Sequence, residues 1–372
     1  MHDLAGRRIW VMAKGYAAEE GGMQTYAEEV AHAYAAAGAQ VTVFTQTKCG
    51  PRHGPHGPVL LADVGAKPAA LLPWRLRQAM RRQMRQGNVP DLVHGTTWRT
   101  SMLPMLMGLP YVTTFHGREF MYGGRMRLAL MQRIASHAEA ICTVSHFSAG
   151  KLRARLGEHC PPITVAWNGL SADVPRPADA RRDTGPLIFS LCRLEPRKNI
   201  AACVRALATM RDEGLPFRYV IGGRGPALDE VRALVAELDL DDRVEVRGYM
   251  PTAETQRLYA EADIFLHPQV MTDCGKDFEG FGITIADAMA AGCAVVIGRE
   301  GGAIELVEEE VTGSAVCGRD QDALNQAVRR LVTDPLHRRK MGQAAEAHAR
   351  ATFCWHRHVA TILGAAAPRI SG

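Results

Sequence analysis

The chain has no cysteine framework. Its nine cysteines, at 49, 142, 160, 192, 203, 274, 293, 317 and 354, are odd in number and include no CxxC pair. That excludes a disulfide-stapled scaffold and reads as reduced thiols in a reducing compartment. No run approaches the roughly 20 apolar residues of a membrane span. The first residues hold only a short apolar run at 9–13, which lacks a signal-peptide core and reads as a first strand. The expected location is therefore cytoplasmic. The sequence also lacks repeats and low-complexity tracts. It lacks a dinucleotide fingerprint too: Gly223-Arg-Gly225 is followed by Leu228 where GxGxxG needs glycine. That argues against a nicotinamide dehydrogenase. No stacking pattern of aromatics accompanies its arginines, so nucleic acid is not an expected partner.

What remains is globular. The 372 residues are 47% hydrophobic and 22% charged, and the length favours two domains. The formal net charge of +5 is unevenly spread. Residues 1–170 hold 19 Lys/Arg against 10 Asp/Glu, and the remainder hold 25 against 29. A basic front half and an acidic back half suggest modules with different partners. Both halves alternate strands with helices. Strands are expected at 8–13, 40–45, 92–94, 111–115, 141–144 and 163–166, then at 187–192, 218–221, 244–247, 263–267 and 293–297. Repeated βα units imply parallel sheets covered on both faces, an α/β fold of two Rossmann-like domains facing across a cleft. The proline- and charge-rich stretch 171–186 is the expected linker. It separates a domain at 1–170 from one at 187–350, with 351–372 as a terminal helix.

Four post-strand loops are chemically unusual. Glu279-Gly-Phe-Gly-Ile-Thr-Ile-Ala-Asp287 puts two glycines before a helix. The amides of Phe281, Gly282 and Ile283 would face an anion there, favoured by the helix dipole. Glu279 can accept from hydroxyls, and Asp287 lies one turn into the helix. Arg193-Leu-Glu-Pro-Arg-Lys198 follows a strand, and a planar Arg with a point-charge Lys suits a diphosphate. An ordinary reading is a basic loop paired with acids such as Glu195. Gly21-Gly22 opens the first helix, and His116 follows the strand at 111–115 within Thr-Phe-His-Gly. Each of these alone also fits a plain turn or a structural histidine. Gly223 within Gly-Gly-Arg-Gly-Pro, and Gly301-Gly302, fit a ligand cleft as well.

Together these motifs resemble the retaining nucleotide-sugar glycosyltransferases of the family 4 type, with the GT-B fold. The resemblance spans nearly the whole chain: GGMQTYAEEVA, TFHG, SHFS, Asn168-Gly169, RLEPRKNI, GGRGP, EADIFLHP, EGFGITIADAMAAG and GGAIELV. It implies that Arg193 and Lys198 neutralise the departing donor diphosphate, with Gly21, Gly22 and Gly223 close to the donor. Glu279 would hold a sugar hydroxyl and Asp287 the ribose hydroxyls, where the family usually has Glu. His116 would line the sugar site. The last helix would cross back onto the first domain. No cofactor and no metal are implied, and retention implies front-face substitution in which the departing phosphate takes the acceptor proton. The donor would be a UDP or GDP sugar and the acceptor a hydroxyl, in glycoconjugate, polysaccharide or glycolipid assembly. A soluble natural-product acceptor is the alternative; a sugar-nucleotide epimerase on the same fold is a more distant one.

No acidic residue lies between Asp63 and Asp91, a stretch that carries Arg75, Arg77, Arg81, Arg82 and Arg85. Leu76, Met80 and Met84 follow a helical line beside them. A basic amphipathic helix can lie on an anionic membrane surface, which would suit a lipid-linked acceptor and a peripheral position on the inner face. It can equally be a solvated helix packed on its own domain, or can recognise an anionic acceptor.

Overall fold

Ile9, Trp10, Val11 and Met12 are all buried, so the first strand has no polar face. Such strands belong in the middle of a parallel sheet. The computed structural model, which describes residues 4–16, 21–176 and 185–370, places it there. The chain divides into two units, Met1–Gly169 with Cys354–Gly372, and Leu170–Phe353.

The first unit runs β1 (Arg8–Met12), α1 (Gly22–Ala36), β2 (Gln40–Thr45), β3 (Arg52–His56), β4 (Val59–Asp63), α2 (Leu72–Arg85), β5 (Leu92–Gly95), α3 (Met102–Leu106), β6 (Tyr111–Phe115), α4 (Arg118–Met121), α5 (Arg125–His137), β7 (Ala140–Thr143), α6 (His146–Leu156) and β8 (Ile163–Val165). Its sheet has the order β3-β4-β2-β1-β5-β6-β7-β8. All pairs are parallel except β3 with β4. The hairpin β3–β4 is not expected from the sequence. Arg-His-Gly-Pro-His has no apolar alternation, and it stands as the edge strand, where a proline costs no ladder bond. Ser145 caps α6 by accepting from the Ser148 amide (3.1 Å).

The second unit runs β9 (Leu187–Leu191), α7 (Ile200–Asp212), β10 (Arg218–Gly222), α8 (Leu228–Glu237), β11 (Val244–Gly248), α9 (Thr252–Glu261), β12 (Ile264–His267), α10 (Ile283–Ala290), β13 (Ala294–Gly298), β14 (Ser314–Val316), α11 (Gln321–Thr333) and α12 (Pro335–Thr352). Its strand order is β11-β10-β9-β12-β13-β14, parallel throughout. The short β14 is also absent from the sequence expectation.

The domain limits differ in detail from those expected. Residues 351 and 352 end α12 and Phe353 follows, so all three belong to the second unit and not to the terminal helix. Of the expected linker, 171–176 belong to the second unit, and 177–184 lie outside the described residues. The terminal helix α13 (Trp355–Ile370) packs on α1 within the first unit.

A directional hydrogen-bond chain ties α13 to the first sheet. Nδ1 of His358 faces the Trp167 carbonyl (2.9 Å), so Nδ1 carries the proton. Burial holds this imidazole at about 4, hence neutral. Its Nε2 must accept, and Tyr26 donates to it (2.9 Å). Thr114 then donates to Tyr26 (2.8 Å), His94 Nε2 to Thr114 (2.9 Å), and Tyr34 to His94 Nδ1 (3.1 Å). All five side chains are buried, so every member needs its partner. Tyr26→Phe removes the middle of the chain and strands two buried groups. It should cost about 2 kcal/mol in denaturant unfolding. An unchanged midpoint would mean that the chain contributes nothing.

Candidate active site

In the second sheet, connections leave β9 and β12 in opposite directions, so their carboxyl ends flank the topological switch point, where ligands of such sheets bind. The loop after β9 makes a short turn at Pro196–Lys198. Asn199 then takes a left-handed conformation and donates to the Pro268 and Gly318 carbonyls (3.1 and 2.7 Å). This pins the loop and turns Lys198 inward, where it is 7% exposed.

Lys198 Nζ donates to Glu279 Oε2 and lies 3.3 Å from His267 Nε2. Arg197 Nη1 donates to the same Glu279 oxygen (3.0 Å). The Arg197 Nε lies 3.3 Å from both Glu195 and Asp277. Burial works to raise the Glu279 pKa, but Lys198 and then Arg197 overcome it and hold the carboxyl well below its ordinary range. Burial, aided by the Lys198 charge, depresses His267 to about 4. The imidazole is thus neutral beside an ionised Lys–Glu–Arg cluster.

Glu279 is positioned through its backbone. Gly301, at φ +101°, lies so close that a Cβ would fall 2.7 Å from the Glu279 carbonyl. Gly302 donates its amide to that carbonyl (2.7 Å). The motif Gly301-Gly302 is thereby explained as the seat of Glu279. Gly282, at φ +95°, opens α10. Among the described residues the amides of Phe281, Gly282 and Ile283 have no protein acceptor. They are orphan donors at a helix start, available to an anion. The ring of Phe281 is buried edge-on against Phe353 (5.6 Å). Asp287 is buried and accepts from the Ser171 amide (2.8 Å). A Cβ at Gly223 would overlap the Cys192 carbonyl, so this glycine lets the loops after β9 and β10 meet.

Arg193 stands apart from the buried cluster. Its side chain is 72% exposed and paired with Glu195 (3.2 Å). Sequence reasoning missed Arg197 and His267, although both lie inside quoted motifs. His267 ends a strand, the same signal that singled out His116, and Arg197 is the neighbour of Lys198.

In the first unit, the amides of His116 and Gly117 donate to the two oxygens of Glu119 (2.7 and 2.9 Å). His116 Nε2 donates to the Thr96 carbonyl (2.9 Å), and its ring stands edge-on to Tyr26 at 4.4 Å. Burial lowers its pKa against the pull of Glu119. Gly21 and Gly22 begin α1, next to β1 at the switch point of this sheet. On α2, Met80 is buried and Leu76 and Met84 are half-buried, while Arg77, Arg81, Arg82 and Arg85 face outward with Trp74. Arg75 instead spends its guanidinium on the carbonyls of Lys67, Gly65 and Pro68.

These features define a two-unit α/β protein with an anion-ready switch point. Two family descriptions match it: Glycosyltransferase Family 4 over residues 20–174, and Glycosyl transferases group 1 over residues 174–348. The chain belongs to the family 4-type glycosyltransferases of GT-B fold. A GDP-mannose-dependent alpha-(1-6)-phosphatidylinositol monomannoside mannosyltransferase of Mycolicibacterium smegmatis is 32% identical, over 60% of this chain and 61% of its own. The chain thus spans about three fifths of that relative's length. A D-inositol 3-phosphate glycosyltransferase of Nocardiopsis dassonvillei is 25% identical over 93% of this chain and 89% of its own. Anabaena HepE, solved with UDP and glucose, superposes with a TM-score of 0.74 at 18% identity, over 96% of this chain and 99% of its own.

The depressed His267 pKa has a consequence for stability. The unfolded imidazole binds a proton near 6.5 and the folded one only near 4. Stability present above 6.5 is therefore lost as pH falls towards 4, by about 3 kcal/mol. His267→Gln should flatten this part of the unfolding profile. An unaltered slope would place the acid sensitivity elsewhere.

Proposed function

We propose that the chain is a retaining glycosyltransferase that moves a sugar from a UDP or GDP sugar to a hydroxyl acceptor in glycolipid or polysaccharide assembly. The observation that carries this is the buried Lys198–Glu279–Arg197 cluster at the switch point of its sheet, in the same unit as the orphan amides that open α10. Lys198, with the mobile-length side chain of exposed Arg193, supplies positive charge to the leaving diphosphate. The amides of Phe281, Gly282 and Ile283 take the same anion or the sugar. When the diphosphate draws on Lys198, Glu279 gains a free lone pair for a sugar hydroxyl and keeps Arg197 as counter-ion. Asp287 is assigned to the ribose. His116 is assigned to the sugar through its carbonyl, which among the described residues accepts a single 3.3 Å bond, from Ser148. Positive charge supplied by these side chains makes a divalent metal unnecessary. The departing phosphate oxygen takes the acceptor proton, so no protein base is required.

The acceptor is assigned to the lipid-linked class. Outward Trp74, 59% exposed, and Leu71, 50% exposed, stand on or next to α2 with Arg77, Arg81, Arg82 and Arg85. That combination of apolar anchors and arginines suits an anionic membrane surface on the cytoplasmic side. No helix among the described residues is long and apolar enough to cross a membrane.

A panel of UDP, GDP, ADP and dTDP sugars tests the donor. A donor at 100 times its Kd should stabilise by about 2.7 kcal/mol. Lys198→Ala should lower kcat by roughly a hundredfold or more, as loss of a charge-stabilising donor does, while the fold survives. Near-normal kcat would remove Lys198 from the chemistry. The product anomer, read by proton NMR, decides retention. Chelator should leave the rate unchanged.

A further inference from the structure

The first unit holds a second concentration of charge. Trp98, in the loop after β5, is 4% exposed. The guanidinium groups of Arg99 and Arg127 lie 5.3 and 5.2 Å from its ring centroid. The Glu119 carbonyl accepts from both Trp98 Nε1 (3.1 Å) and Arg127 Nη2 (2.8 Å). Arg155, near the end of α6, donates to the Gly123 carbonyl (2.6 Å). A Cβ at Gly123 would overlap the Arg127 stem, so Arg127 and Arg155 flank a single glycine.

Among the described residues, none of these three arginines pairs with a carboxylate. The Glu119 carboxylate is occupied by the His116 and Gly117 amides. The buried Nε atoms of Arg127 and Arg155 have no partner. Burial, together with the charges of Arg99 and Arg155, pushes the Arg127 guanidinium below its ordinary range. Packing one tryptophan does not call for three clustered cations, which repel one another. Planar guanidinium forks match phosphate oxygens two at a time. The same residue, Glu119, also anchors the His116 loop, so an anion held here lies beside the residues assigned to the sugar.

We propose that Arg99, Arg127 and Arg155 form a phosphate-binding site that takes the phosphate of a phosphorylated acceptor. The word acceptor rests on the glycosyltransferase reading; the anion site itself does not. The phosphate can belong to a soluble acceptor or to a lipid headgroup, and two arms of one experiment separate these. In the first, the full chain is titrated with myo-inositol 1-phosphate and with unphosphorylated myo-inositol. In the second, it is co-sedimented with phosphatidylcholine vesicles with and without phosphatidylinositol. Binding should require the phosphate group in the first arm, or the uncompensated anionic phosphate of phosphatidylinositol, which the choline cation masks in phosphatidylcholine, in the second. Arg99→Gln, Arg155→Gln and the charge-keeping Arg127→Lys should each weaken it about tenfold or more. Arg99 is exposed, so its variant keeps the test valid if the others fold poorly. Repeating the titration with Lys198→Ala separates this site from the diphosphate site, and the phosphate affinity should persist. Equal affinity for both inositols and both vesicles, or arginine variants that bind as the parent does, would overturn the proposal. Phosphate binding through this cluster without any response to nucleotide sugars would leave the site standing and remove the glycosyltransferase reading.

Discussion

The second unit is organised around one carboxylate that cannot be left alone. Glu279 is 13% exposed in its side chain and ionised. A buried charge of this kind survives only when paired and hydrogen-bonded. Lys198 and Arg197 supply the pairing, and both come from the loop after β9. Neutral His267, at the end of the neighbouring strand β12, closes the cluster without adding charge. The backbone serves the same end: Gly301 and Gly302 seat the Glu279 main chain, and Asn199 fixes the turn that carries Lys198. Several separated sequence motifs thus answer to a single electrostatic demand.

The first unit solves a similar problem with polar chains in place of an ion cluster. Glu119 puts both carboxylate oxygens on successive amides of the His116 loop. Tyr26 meets the His116 ring on one side and His358 on the other. Tyr26 therefore links the terminal helix to the His116 loop. Neutral buried imidazoles make this possible. A charged His358 would need an acceptor where Tyr26 already donates, so desolvation and hydrogen-bond direction require the same protonation state.

Much of this was legible because periodicity and punctuation act locally. Tyr26, Ala27, Val30 and Tyr34 share a helix face in the sequence and are all fully buried. The strands at 40–45 and 111–115 have the expected limits. The β3–β4 hairpin was not legible, because its edge strand has neither alternation nor apolar content and exists only by pairing with β4. Within the site, Lys198 and Glu279 were readable from motif and residue type. Their meeting was not, because 81 residues separate them and only the sheet order brings β9 beside β12. Arg197 was hidden by its neighbour: from sequence alone, three basic residues in one loop are equivalent, yet Arg193 is exposed, Arg197 half-buried and Lys198 buried.

That last difference also limits what net charge can say. Residues 171–372 are acidic in sum, yet they hold Lys198, Arg197 and the orphan amides of α10. Many of their charges are spent in surface ion pairs such as Glu213–Arg329 and Glu310–Arg330, where solvent screens them. Residues 1–170 are basic in sum, and that excess includes two separate groups. One is the outward face of α2, where arginines stand beside exposed Trp74. The other is the Arg99–Arg127–Arg155 group, in which carbonyl oxygens hold Arg127 and Arg155 and the Trp98 ring carries Arg99. Long-range charge governs which ligands approach. The chemistry depends on which few charges are removed from water and what they are left to face.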